Sequence, residues 1–547
     1  MARDKIAEEI IRRDSERRSS RATWEVLWQS IARYCLPNEA SFMEQITPGQ
    51  DRMRWVLDST APRALEMFGS FLHTLLNSPT SQWIKFGIEG EEELAWSPAV
   101  RAYLEGLDRK VMALLSAPMA DIYSQLHQTY LSLGAFGTAV MYMDTVNGQL
   151  RIRTYHLDDC TIEEGEDETI DSLTRVRKQS KRAAMQRFDP EKLGRSFANI
   201  DDKKLSQTDR YLHAVVPASD PLVAQFPKAR TVRGSNYYSV WVLDGEEKRV
   251  LEYGSYNTFP YMVPRWYKAR GEIYGRSPAM TAMPDIRMVN RMSDTILRGA
   301  EKIVDPPLVV PDGAIVSPVR LFPGGLTFVE GGAEIKSLIP PGTSRIETGN
   351  QLLIARQQAI KEAFFTPLFV TPDSPVKTAT QVMQEVDERN RALSPMLVRM
   401  QSELFSRIAM RALDVLRAAG QLPMPPVEMQ QGGRTIKLEY VSPLIASQKQ
   451  LEGLAIARTF EQMSFWAQAD NGIFDWIDTD KVAVRIPMAN GMDASFIKSK
   501  TVVDQVRKAR SEQQAQMAQA QLAPDALKGA AAMMTAGAQV TKANASA

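Results

Sequence analysis

Long stretches of helical period flank a central region of strand period. Ile6, Ile10 and Ile11 recur among charges, and Trp24, Val26, Leu27, Trp28 and Ile31 form a second apolar group before Pro37, so the first forty residues are predicted helical. Further helices are predicted from about Ala61 to Leu76, closed by Asn77, Ser78 and Pro79, over residues 98 to 117, and from Ala120 to Leu133. After Gly134 and Gly137 the period falls to two across Ala139 to Met143. Asn147-Gly148 then supplies hairpin chemistry before a strand from Leu150 to Tyr155. Strands and turns continue to about residue 265, including Tyr237 to Leu243 and Val250 to Tyr256 around an Asp244-Gly245 turn, and make this part α+β. The dense basic run Arg175, Arg177, Lys178, Lys181, Arg182 and Arg187 lacks interleaved aromatics and follows acidic positions at 163 to 171. It is expected as a solvated helix face rather than a phosphate-binding surface.

A helix is predicted from about Ala279 to Ile303, where Ala282, Ile286, Val289, Ser293, Ile296, Ala300 and Ile303 fall at spacings of four and three and form one seam. Arg287, Arg291, Asp294, Arg298 and Glu301 make a charged stripe beside it. Asp305-Pro306-Pro307 ends this helix, because proline lacks the backbone donor and its ring collides with the preceding turn. Short strands are predicted at Leu308 to Val310, Ile315 to Val319, Leu326 to Val329 and Ile335 to Leu338, and helix resumes from about Ser344 through Leu352, Leu353, Ile360 and Phe364. The break Phe369-Val370-Thr371-Pro372-Asp373-Ser374-Pro375 leads into the longest periodic segment, about Thr378 to Ala419, in which Pro395 is expected to bend the helix. At 1.5 Å per residue that segment reaches about 60 Å. Beyond Gly420 and a proline-rich linker come a strand from Ile436 to Val441, helix over 443 to 512, and an Ala/Gln/Met-rich tail over 513 to 547 that is expected to be disordered.

The 547 residues predict roughly three or four globular units. With 66 basic and 65 acidic side chains there is no overall field to steer the chain onto nucleic acid or an anionic membrane, so any contact with DNA must come from local geometry or from copies arranged around it. Cys35 and Cys160 are too few for a disulfide framework, the N-terminus MARDKIAEEIIRRDSERR has no apolar signal core, and the apolar runs are shorter than a bilayer span. A soluble protein of a reducing compartment is the expectation.

Motifs for chemistry are sparse. No GxxxxGK[ST], HExxH, CxxC or nucleophile-elbow pattern occurs, and the cluster Gly324, Gly325, Gly331 and Gly332 lacks a following lysine. His156-Leu157-Asp158-Asp159-Cys160 holds ligand-type side chains, but no second cluster accompanies it and His73, His127 and His213 stand alone. The expectation is a non-enzyme with no catalytic residue, metal or cofactor.

Five long segments stand out: WEVLWQSIARYCLPNEASF (24 to 42), DSTAPRALEMFGSFLHTLLNSPTSQWIKF (58 to 86), LGAFGTAVMYMD (133 to 144), FPYMVPRWYKARGEIYGRSPAMTAMPDIRMVNRM (259 to 292) and TATQVMQEVDERNRALSPMLVRMQSELFSRI (378 to 408). In consistent order over about residues 20 to 420, they resemble the head-to-tail connector (portal) family of T7-like podovirus bacteriophages. The resemblance implies a mainly helical α+β portal fold assembled as a cyclic dodecamer. It assigns residues 1 to 279 to a wing, 280 to 304 and 344 to 366 to two stem helices, and 305 to 343 to a β-rich clip. Residues 367 to 377 become a tunnel loop, 378 to 442 a long wing helix with the following strand, and 443 to 512 a crown. The stem's charged face would comprise Arg287, Arg291, Asp294, Arg298 and Glu301; the tunnel loop would present Phe369, Val370, Thr371, Pro372, Asp373, Ser374, Pro375 and Lys377. Implied partners are eleven further copies, double-stranded DNA bound without regard to sequence, major capsid and scaffolding proteins, the terminase large subunit, and tail adaptor and internal core proteins. The implied place is the virion's portal vertex, with assembly in the host cytoplasm. Another structural ring of the head-tail junction, an adaptor or stopper, is the alternative, disfavoured by chain length and the helix-clip-helix order.

Overall fold

A computed structural model describes residues 4–44, 47–79, 82–88, 97–194, 197, 204–227, 234–245, 248–304, 308–309, 328, 336–337, 346–368, 395–430, 436–440, 453, 455–463, 477–489, 498 and 502–516. The chain divides into two compact units. The first comprises Met1–Lys85, Leu107–Pro423 and Leu438–Pro443; the second comprises Phe86–Gly106, Met424–Lys437 and Leu444–Ala547.

In the first unit, α1 (Lys5–Ser20) and α2 (Ala22–Cys35) are separated at Arg21, whose φ of −96° and ψ of 7° leave helical geometry. Asp4 caps α1 by accepting the Ile6 amide at 3.1 Å. In α3 (Thr60–Leu76), Ala61, Ala64, Leu65, Phe68, Leu72 and Leu76 are buried on one face. A strand, β1 (Ile84–Ile88), and a helix, α4 (Pro98–Leu115), follow, each with residues assigned to both units. The next helix, α5 (Ile122–Phe136), lies close against α3, because a side chain at Gly134 would overlap Leu65 and Phe68 and one at Gly69 would overlap Leu131.

Two antiparallel sheets form the α+β part. In the smaller, β2 (Val140–Val146) pairs with β3 (Gln149–Tyr155) across the Asn147-Gly148 turn, both of whose residues have positive φ as the turn chemistry requires. The larger runs β4 (Cys160–Glu164), β5 (Ile170–Ser180), β6 (Thr208–Pro217), β7 (Tyr237–Asp244) and β8 (Arg249–Tyr256) in simple meander order, and β9 (Tyr261–Met262) returns to the smaller sheet beside β2. Ile6, Ala7 and Ile10 of α1 pack on Val176, Leu212, Ala214, Val240 and Val242. A second cluster joins Ala184 and Phe188 to Tyr211, Trp241 and Leu243. The basic run is therefore not one solvated helix face: Arg175, Arg177 and Lys178 lie in β5, and only Lys181–Arg187, helix α6, is helical. Packing on both faces of β5 buries Arg175 and Val176 side by side, so the run's charge density obscures a period of two.

The predicted helix after residue 278 is α7 (Pro278–Val304), capped by Ser277, whose Oγ accepts the Met280 amide at 3.0 Å. Of the predicted clip, the structure describes Phe328 and the pair β10 (Leu308–Val309) and β11 (Lys336–Ser337); its other expected strands lie outside the described residues. The returning helix is α8 (Ile346–Ala363), packed antiparallel to α7. Of the long helix expected from 378, residues 395–418 are described: a helical turn over 395–400, a π-helical turn over Gln401–Phe405, then α9 (Ser406–Ala418). A further strand, β12 (Ile436–Tyr440), pairs with β1. In the second unit, helix is present over 455–463, in α10 (Thr479–Ala489) and over 502–516, and the Arg507 guanidinium grips both Asp480 oxygens at 2.8 and 2.5 Å. No described helix is long and apolar enough to cross a membrane.

Candidate functional site: the helical hairpin and its charged face

The base of the α7–α8 hairpin is fixed by polar contacts. Asn290 Oδ1 accepts the Leu57 and Asp58 amides at 2.9 and 3.2 Å, and Gln357 Nε2 donates to Asp58 at 2.8 Å. Burial along α7 then fades: Ala282, Ile286 and Val289 are buried, Ser293, Ile296 and Ala300 are partly covered, and Ile303 is exposed. Leu297 and Val304 on α7 and Leu352 and Ile354 on α8 are also exposed, leaving the outer half of the hairpin with large apolar side chains in water. At Gly349 the two helices lie close, and a Cβ there would sit in ordinary contact with Ile296 at 3.5 Å.

The charged stripe divides along its length. Arg287 donates to Ser30 Oγ at 2.7 Å and is held against α2. Arg291 and Glu301 are exposed, and Arg298 pairs with Asp294 at 3.1 Å along the helix, the Arg298 side chain being 71% exposed. Arg356 of α8 reaches Asp285 of α7 at 3.2 Å. Exposed pairs of this kind contribute roughly 0.3–0.5 kcal/mol each, so the stripe serves as a surface pattern more than as a stabiliser. The expected tunnel-loop residues Phe369, Val370, Thr371, Pro372, Asp373, Ser374, Pro375 and Lys377 lie outside the described residues.

Two of the segments that carry the family resemblance fold into one junction at the hairpin's root. Gly137 (φ +74°) ends α5 with its amide donating to Leu133 O, and its own carbonyl accepts the Trp266 amide at 2.9 Å. Gly275 N donates to Thr138 Oγ1 at 2.8 Å, Ser277 Oγ donates to Ala135 O at 2.7 Å, and a Cβ on either Gly137 or Gly275 would strike the other's carbonyl. Nearby, buried Arg265 binds Glu164 and Glu403, and its backbone amide also donates to Glu403 at 2.8 Å. Glu403 sits in the π-helical turn, which thereby faces the junction.

The His156–Cys160 cluster has a different role from a ligand set. Arg21, 1% exposed, donates to the carbonyls of Leu157, Asp158 and Cys160 and holds this turn against the start of α2. His156 Nδ1 accepts the Asp158 amide at 3.2 Å while its Nε2 lies 3.0 Å from Glu39 O; burial lowers the imidazole pKa to about 4. Burial likewise pushes the Cys160 thiol up to about 12. Among the described residues no group of acidic, histidine or cysteine side chains is spaced to hold a metal. Sequence reading missed the Arg21 and Arg265 networks because the contacts that tie elements together, to residues 157–160 from Arg21 and to Glu164 and Glu403 from Arg265, lie more than a hundred residues away in the chain; the local signals are an arginine at a helix break and its neighbour Glu25.

The family described as bacteriophage head to tail connecting protein matches residues 7–497. A probable portal protein of Bordetella phage BPP-1 is 27% identical over 525 residues, covering 94% of this chain and 92% of that one. A portal protein of Salmonella phage epsilon15 is 22% identical over 528 residues, with 94% and 92% covered. A solved structure titled "Neck of native GTA particle computed with C12 symmetry" aligns with a TM-score of 0.37 at 12% identity, over 73% of this chain and 86% of that chain, a likeness too loose to carry weight. With a match running through nine-tenths of its residues, this chain belongs to the bacteriophage head-to-tail connecting protein family.

Proposed function

We propose that the protein is the repeating subunit of a portal ring at one capsid vertex, the channel through which double-stranded DNA is packaged and later ejected. The observation that carries this reading is the near full-length similarity to two phage portal proteins. The exposed apolar outer half of the α7–α8 hairpin supports it, because a helix pair with Leu297, Ile303, Leu352 and Ile354 in water gains burial from neighbouring copies. In this reading residues 280 to 304 and 344 to 366 form the stem, 305 to 343 the clip, and 367 to 377 the tunnel loop. Residues 1 to 279 and 378 to 442 form the wing, 443 to 512 the crown, and 513 to 547 a tail. Arg291, Asp294, Arg298 and Glu301 pair across subunits or face the tunnel, where mixed signs limit sticking to a moving polyanion, while Arg287 at the root of the stripe is turned to Ser30 of α2. Lys377, repeated around the ring, steadies the backbone without reading bases.

The ring has twelve copies, docks the terminase large subunit during packaging and tail adaptor and internal core proteins afterwards, and meets capsid and scaffolding proteins during assembly in the host cytoplasm. The sequence has no GxxxxGK[ST] loop, so the energy of packaging is assigned to the terminase partner. A cryo-electron microscopy map of filled particles, with native mass measurement of extracted rings, tests the proposal. Twelve copies at the head-tail junction, with 367 to 377 lining the narrowest bore, are expected; the chain found elsewhere in the particle, or as a monomer, overturns it. A bore set by other residues, with 367 to 377 more than about 10 Å from DNA, a separation near the screening length, overturns the tunnel-loop assignment alone.

A further inference from the structure

The buried arginines of this chain are treated unequally. Arg21 meets Glu25 and backbone carbonyls, Arg265 meets Glu164 and Glu403, and Arg411 meets Asp144 and Asp414. Among the described residues Arg175, 2% exposed, meets no carboxylate, and its Nε and Nη1 have no hydrogen-bond partner. Its guanidinium instead lies among aromatic rings, 4.1 Å from the centroid of Tyr155, 5.3 Å from Tyr142 and 5.4 Å from Trp241. Such rings attract a cation through their faces but accept N–H weakly, so a guanidinium taken out of water here retains unanswered donors.

Strand register explains why more charge gathers at this point. Arg175 aligns with His213 and then Trp241 across β5, β6 and β7, and Arg177, two residues on, shares their face and aligns with Tyr211. Arg187 of α6 sets its guanidinium 3.9 Å over the Trp241 ring. From the smaller sheet comes Arg153, paired in register with Tyr142. Burial and then the charges of Arg175, Arg187 and Arg153 depress the pKa of Arg177, so these guanidinium groups repel one another. Arg153, Arg177 and Arg187 are exposed, and among the described residues none of them forms an ion pair. Asp159 feels the fields of Arg175 and Lys178 but makes no ion pair with either.

We propose that the exposed surface carrying Arg153, Arg177 and Arg187, above buried Arg175, binds a phosphate group, either inorganic phosphate or a phosphodiester of a nucleic-acid backbone. Planar guanidinium forks match tetrahedral oxyanions, and a multiply charged anion on the exposed arginines relieves their mutual repulsion and offsets the field of the unpaired charge buried beneath them. The site is built within one protomer and does not depend on the ring.

The test compares thermal stability of the full chain in phosphate with that in chloride at matched ionic strength. The wild type is measured beside R177Q/R187Q, which alters exposed positions, and beside R63Q/R417Q, which removes the same charge elsewhere on the surface. The wild type and R63Q/R417Q are expected to show saturable stabilisation by phosphate, weakened about tenfold or more in R177Q/R187Q, with unchanged far-ultraviolet circular dichroism in all three. A short DNA duplex that displaces phosphate from the wild type identifies the phosphodiester as the source; failure to displace it identifies the free ion. Absence of a phosphate-specific shift in the wild type, an equal response of the two double variants, or a map of the assembled protein with a neighbour's carboxylate seated on Arg177 and Arg187 overturns the proposal.

Discussion

Asp14 shows how a single buried carboxylate organises the first unit. Thr161 Oγ1 donates to it at 2.9 Å, Arg18 Nε at 3.1 Å and Arg210 Nη2 at 2.7 Å, so α1, β4 and β6 converge on one side chain. Removing it leaves the buried Thr161 hydroxyl short of its acceptor, while Arg18 and Arg210, 25% and 38% exposed, can turn to water, so D14A is expected to cost about 1–3 kcal/mol in urea denaturation, with D14N costing less because it retains an acceptor. His156 and Glu39 make a prediction in pH. Burial lowers the imidazole from 6.5 to about 4, so its linkage destabilises the fold as pH falls from about 6.5 to 4; burial raises the Glu39 carboxyl from 4.5 to about 7, a linkage that destabilises the fold as pH rises from about 4.5 to 7. The slopes oppose each other. E39Q is therefore expected to become more acid-sensitive between pH 6.5 and 4, and H156Q to lose stability as pH rises from 4.5 to 7; parallel stability–pH curves for both variants would contradict the assignment.

At the scale of elements, the π-helical turn and the glycine junction are the places where ordinary geometry is set aside. Glu403 can accept both the Arg265 side chain and its backbone amide because the wider turn presents it to the junction. E403A is expected to cost about 3 kcal/mol and to speed amide exchange over 395–405, with little change in α1. G137A forces a positive φ on a residue with a Cβ and drives that carbon into the Gly275 carbonyl, for an expected loss of about 2–4 kcal/mol in thermal denaturation. Helices such as α3 and α7 were legible because their seams follow one period and their ends carry Asn, Ser and Pro signals. The Asn-Gly hairpin was legible for the same local reason. Arg175 was misread because a strand covered on both faces does not show clean alternation, and the Arg21 and Arg265 networks were invisible because nothing local marks partners so far along the chain. The charged stripe could be placed on one face of α7 by spacing alone, but whether a given arginine turns to α2, as Arg287 does, depends on tertiary approach.

For the whole molecule, the proposed ring makes the stripe on α7 consequential. R287E/R291E/R298E is expected to impair ring formation or full-length packaging, read by native mass measurement and genome length in particles; normal rings carrying complete genomes would remove the stripe from the account. Purified rings are expected to show no DNA-stimulated ATP hydrolysis that a substitution in this chain abolishes. The fading burial along α7 has a mechanical consequence as well. The hairpin resembles a cantilever, clamped near Asn290 and, among the described residues, progressively less covered over the last fourteen residues of α7, about 20 Å of helix. A small angular tolerance at the clamp becomes a larger lateral displacement at the tip, so copies can meet at more than one rotation per step. Rings assembled from the purified chain alone are therefore expected to be a mixture of sizes, and a single size in particles would have to be selected by a template that the capsid supplies.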